Sequence, residues 1–110
     1  MVTDRGFYSV VDKGVVEGEL CVRARVRADL ERLCQLPSMQ KYAGDIQESQ
    51  LGDYRCRINV RHEDWTEAAA RLAREIDYSN FKNAVKARQG AHRAYIYTNV
   101  WTALYELQQG

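Results

Sequence analysis

Residues 53–61 read DYRCRINVR, and their side chains alternate: Tyr54, Cys56, Ile58 and Val60 on one side, Arg55, Arg57, Asn59 and Arg61 on the other. A period of two is the pattern of a half-buried strand, because successive side chains leave a pleated backbone on opposite faces. The spacing predicts a strand with its apolar row on a core and its arginines toward solvent. Residues 20–27, LCVRARVR, repeat the pattern, with Leu20, Val22, Ala24 and Val26 one way and Cys21, Arg23, Arg25 and Arg27 the other. Neither segment can bury its apolar row alone; a sheet with an apolar layer beneath it is required.

Helical spacing elsewhere supplies that layer. Over residues 62–77, Trp65, Ala69, Leu72, Ala73 and Ile76 share one face, while Glu63, Asp64 and Glu67 lie near the start, where the helix dipole favours acids. A shorter helix is expected over residues 29–36, with Asp29 as cap, Leu30, Leu33 and Cys34 on one side, and Pro37 as the stop. Ser79 or Asn80 can cap a helix running to Arg88 and closed by Gly90, and a last helix is expected over residues 92–108. Residues 6–11, GFYSVV, followed by Asp12, Lys13 and Gly14, read as a first strand and its turn, and residues 45–49 as an edge strand. The expectation is one α+β domain over residues 1–110: an antiparallel sheet of three to four strands, helices on one face, and a helical C-terminal third.

The chain is 110 residues long with 45% hydrophobic side chains, enough to build a core without a metal or disulfide framework. Cys21, Cys34 and Cys56 form an odd set with no C-x-x-C pair, as expected of thiols in a reducing cytoplasm, although spacing leaves a Cys21–Cys56 bridge open. Acidic and basic residues are scattered through the first twenty positions, and no apolar run approaches the length of a membrane span, so neither export nor membrane insertion is expected.

Several segments occurring together carry a resemblance: Gly6-Phe7-Tyr8-Ser9-Val10-Val11, Val22-Arg23-Ala24-Arg25, Asp53-Tyr54-Arg55, residues 76–82 (IDYSNFK) and residues 97–105 (YTNVWTALY). The chain resembles a family of short uncharacterised bacterial proteins that also occur in phage and mobile elements. The resemblance spans nearly the whole chain except residues 38–52. It implies a single domain in a bacterial or phage setting, and it carries no chemistry.

Charge carries more information. The net charge is only +1, yet residues 20–61 hold a surplus of three positive charges. If the two alternating strands share a sheet, Arg23, Arg25, Arg27, Arg55, Arg57 and Arg61 present six guanidinium groups on the side away from the helices. Planar forks of donors suit phosphate and carboxylate groups, so this surface is the candidate docking site for a protein or nucleic-acid partner. The plain alternative is a solvated strand face, with like charges separated by acids such as Asp45 and Glu48. No aromatic residue is expected among the outward positions, which weakens a stacking mode for single strands. Tyr97, Trp101 and Tyr105, spaced one helical turn apart, are expected to pack in the core, with a partner surface or homodimer contact as the other reading.

Enzyme motifs are sparse. His62-Glu63-Asp64-Trp65-Thr66 begins like H-E-x-x-H, but Thr66 occupies the place of the second metal ligand. Nothing reads as a phosphate loop, a dinucleotide fingerprint or another cofactor site, and no catalytic or metal-binding residue is assigned. The residues favour a non-enzymatic binding module; the alternatives are a phage-type inhibitor of a bacterial complex and a small hydrolase or nuclease using His62 or His92.

Overall fold

The computed structural model describes residues 1–109. Contacts gather the chain into two units, the first Met1–Ile76 and the second beginning at Asp77. The first unit opens with a small antiparallel hairpin of β1 (Val2–Thr3) and β2 (Gly6–Phe7). The expected first strand is interrupted at Tyr8 and resumes as β3 (Ser9–Val11); the Tyr8 side chain is fully buried, and its hydroxyl donates to the Asp29 carbonyl at 2.7 Å.

A four-stranded antiparallel sheet follows the order β3-β4-β6-β5, with β4 at Glu19–Ala24, β5 at Gln47–Glu48 and β6 at Cys56–Arg61. The register pairs Val22 with Ile58, Leu20 with Val60 and Ala24 with Cys56. Alternation therefore aligns one apolar row across the sheet, as the period-two reading requires. On that face lie α1 (Arg27–Leu33), a 3-10 stretch (Pro37–Asp45) and α2 (His62–Arg74), contributing Leu30, Leu33, Met39, Ala68 and Leu72 to the core. The expected α+β architecture is present, with both segments of strand and helix in their anticipated order.

Boundaries moved where local chemistry overrode periodicity. The strand that was expected to reach Arg27 ends at Ala24, and Arg27 opens α1. Asp29 is not the cap: Val26 holds that position without a side-chain hydrogen bond, and Asp29 is buried within the first turn. In α2, Ala68 and Leu72 are the buried positions, whereas Ala73 and Ile76 are exposed and the helix stops at Arg74. The thiols of Cys21, Cys34 and Cys56 are free. The register closes the question of a Cys21–Cys56 bridge, since the two residues occupy positions of opposite parity, Cys56 in the core row and Cys21 in the other. Burial pushes the Cys34 and Cys56 thiols up, away from the reactive thiolate.

The 3-10 stretch is fastened to α2 by polar contacts. The Tyr42 hydroxyl donates to the Asp64 carboxylate at 2.5 Å, and Lys41 lies 3.0 Å from the same carboxylate. These two hydrogen bonds, Tyr42 first, hold the Asp64 carboxyl below its ordinary range, and Arg61 does the same for Glu63. A carboxylate whose folded pKa is depressed stabilises the fold above its unfolded pKa, and that contribution is lost as pH falls through the folded value. Thermal midpoints should therefore decline below about pH 4, and Asp64→Asn should flatten part of that decline while Glu63 retains its share. Identical acid limbs for the two proteins would remove Asp64 from this account.

The second unit contains α3 (Phe81–Gln89), α4 (Ala91–Leu104) and α5 (Glu106–Gln109). Asn80 caps α3 by accepting the Asn83 N–H at 2.9 Å, and Gly90, in a left-handed backbone region, separates α3 from α4. Val85 and Tyr97 are its buried apolar residues, with Phe81 stacked on Tyr97 at 5.5 Å between ring centroids. Among the described residues, no helix is long and apolar enough to cross a membrane.

Candidate arginine face

The face of the sheet turned away from α1 and α2 is set by the same register. Arg23 stands opposite Arg57, Cys21 opposite Asn59, and Glu19 opposite Arg61, in three successive rungs of like parity. Rungs two residues apart lie about 7 Å from one another along an antiparallel strand. The face is therefore graded from a guanidinium pair, through a thiol and an amide, to an acid and a base.

Of the six arginines expected there, the structure brings three together and ties three to acids. Arg27, on α1 rather than the strand, lies 3.0 Å from Glu48 and 3.7 Å from Glu31. Arg55 also approaches Glu48, at 3.7 Å, and Arg61 pairs with Glu63 at 2.6 Å. Glu48 thus acts as the interleaved acid that a row of like charges needs. These four contacts are ordinary exposed ion pairs of small energetic consequence.

Arg23, Arg25 and Arg57 are different. Among the described residues, none of the three has a carboxylate within ion-pair distance. Arg23 donates to the Ser9 hydroxyl at 2.7 Å, Arg25 donates to the Asp53 carbonyl, and Arg57 donates to the Tyr54 carbonyl at 3.3 Å. The Arg23 and Arg25 guanidinium carbons lie 4.6 and 4.2 Å from the centre of the Tyr54 ring. Carbonyl dipoles and a π face soften the repulsion within this group but leave its formal charge uncompensated. One donor has no acceptor: the Nε of Arg23 is buried without a hydrogen-bond partner.

Tyr54 is the residue that sequence reasoning misplaced. The alternation of residues 53–61 assigned it to the core row, but β6 begins only at Cys56 and residues 50–55 form bends. Parity has no meaning outside the strand, so the loop is free to bring the ring to the arginines. The tightness of that approach is visible at Gly52, where a Cβ would stand 2.7 Å from the terminal nitrogen of Arg57. The signal available in the sequence was the Gly52-Asp53 pair directly before Tyr54, a turn pair that argues against an early strand start.

Beside the arginines, the β3–β4 loop borders the sheet. Gly14 and Gly18 adopt positive φ of 69° and 82°, and Asp12 accepts the Gly14 N–H at 2.8 Å in an Asx turn. The loop borders an open concavity of about 250 Å³ whose walls include Val15, Val16, Arg57, Asn59, Gln47 and Glu19. Cys21 is buried in its wall, which explains a buried residue on the outward side of the sheet. Neither the Asn59 nor the Gln47 side-chain amide has a protein partner among the described residues, and both residues are exposed.

The aromatic stripe divides. Tyr97 is buried against Phe81, whereas Trp101 is 60% exposed and stacks on Tyr105 at 5.7 Å. His62 and His92 belong to different units and are both exposed, and neither imidazole hydrogen-bonds to another group among the described residues. No group of three or more His, Cys, Asp or Glu side chains among the described residues is placed to hold a metal ion. Compared with protein-family models, curated proteins and solved structures, the chain matches none.

Proposed function

We propose that this protein is a non-enzymatic binding module whose arginine-bearing sheet face docks an anionic macromolecular partner. The observation that carries the reading is the group Arg23, Arg25 and Arg57, gathered on one face with carbonyls, a hydroxyl and a tyrosine ring for company but no carboxylate. Arg23 and Arg57 stand directly opposite across two strands, an arrangement that costs stability until an anion lies between them. A phosphate or carboxylate would take the exposed terminal nitrogens of these guanidinium groups. The net charge of +1 makes this local attraction, not a general coat of positive charge, the source of recognition.

Fluorescently labelled polyphosphate is a suitable probe, read by anisotropy at low salt. The wild-type protein should bind it, and Arg25→Glu/Arg57→Glu should not, with thermal midpoints of the two proteins within a few degrees. Equal binding by both proteins, or none by either, would overturn the reading. Hydrolysis of the probe that is lost when His62 and His92 are together replaced by Ala would identify a hydrolase site instead.

A further inference from the structure

The geometry points to single-stranded nucleic acid as the anionic partner, with a phosphate on the Arg23–Arg57 pair and the attached base in the concavity beside the β3–β4 loop. This inference rests on the anion-docking reading above and adds the chemistry of the ligand.

Arg57 joins the two halves of the site. Its guanidinium belongs to the carboxylate-free arginine group through its bond to the Tyr54 carbonyl, and the same residue forms part of the wall of the 250 Å³ concavity. A phosphate held at this point has its substituent directed along the sheet into a space already formed. A polyanion whose side chains are all carboxylates, such as polyglutamate, would use the arginines and bring no flat ring to the concavity.

The lining of the concavity suits a nucleobase. Val15 and Val16 supply apolar surface for a ring. At its rim, the unengaged amides of Asn59 and Gln47 offer paired donors and acceptors, the groups that read base edges. Gln47 is the cross-strand partner of Arg57, and Asn59 is two residues along the same strand, so both lie within one rung of the phosphate-binding pair. Glu19 is the further element. A carboxylate in a phosphate site is repulsive, but it lies two rungs from the Arg23–Arg57 pair, where it can accept a hydrogen bond from an exocyclic amino group.

Tyr54 completes the backbone side. Its ring holds Arg23 and Arg25 near 4.2–4.6 Å, so the two guanidiniums are positioned before a ligand arrives. Side chains fixed in advance lose less freedom on binding.

The test uses the whole chain at pH 7.5 with three labelled probes: a fifteen-residue oligodeoxycytidine, an abasic strand of the same length, and polyglutamate. The inference expects the cytidine strand to bind about tenfold more tightly than the abasic strand, since each well-seated base contributes on that scale. Asn59→Leu, at an exposed position, should shrink the ratio of cytidine-strand to abasic-strand affinity. Equal affinity for the cytidine and abasic strands would overturn the base-binding inference while leaving the anion-docking reading in place. Preference for polyglutamate over both strands would overturn it as well and identify an acidic protein as the partner class. Failure of all three probes to bind would remove both readings together.

Discussion

Replacing Asp29 by Ala should cost the protein about 3–5 kcal/mol, the scale on which breaking a buried charge pair destabilises a fold. Asp29 is only 1% exposed. One carboxylate oxygen accepts the Phe7 N–H at 3.1 Å, and the other pairs with the Arg32 guanidinium. Arg32 in turn donates to the Arg5 carbonyl at 2.7 Å, and Arg5 donates back to the Arg32 carbonyl at 2.7 Å while gripping Glu75 with two bonds of 3.1 Å. One carboxylate thus anchors a chain of contacts linking the N-terminal hairpin, α1 and the end of α2. Its loss leaves a part-buried backbone donor and a part-buried guanidinium without that acceptor. Against the 5–15 kcal/mol typical of a whole domain, the loss is a large share of the stability. Urea melts should show a lower midpoint at unchanged slope, and Arg32→Met added to Asp29→Ala should recover part of the loss by removing the stranded charge. A loss below about 1 kcal/mol would mean the network does not hold these elements together.

The same residue shows where sequence reading stops. Asp at the head of a helix is read as a cap, because caps are its commonest role, and nothing in residues 29–36 reports that the N-terminal hairpin will fold over it. The contact is between residues 22 positions apart, so no local pattern contains it. Strands β4 and β6 were readable for the opposite reason: their period is local and a slip of one residue would expose the entire row of Val22, Ala24, Ile58 and Val60. Arginine parity was readable only inside those strands. Arg23 and Arg57 stand opposite one another as the alternation implies, while Arg27 left the row when α1 began, and Arg55 stands just before β6. Tyr54 entered the site because it lies outside the strand, and the concavity beside it depends on two glycines at positive φ that the alternation could not report.

Salt should weaken binding of a single-stranded oligonucleotide steeply for so nearly neutral a protein. Each phosphate neutralised by a guanidinium releases condensed counterions, and for single strands the logarithmic slope is about −0.7 per contact. Arg23, Arg25 and Arg57 supply three contacts, whereas Arg27, Arg55 and Arg61 are occupied by Glu48, Glu31 and Glu63. Three contacts give a slope of about −2, so raising monovalent salt from about 50 to 200 mM should lower affinity about 20-fold. Arg57→Gln should reduce the slope by about 0.7, and the same salt step should then cost about sevenfold. Arg61→Gln should leave the slope within error, because that guanidinium is already paired on its own strand end. This contrast is the sharper part of the measurement. A slope near −4 with both variants equally affected would mean that all six arginines engage the strand and that the ion pairs open on binding. A slope near zero would mean that the phosphates are not held by this group at all, whatever the affinity.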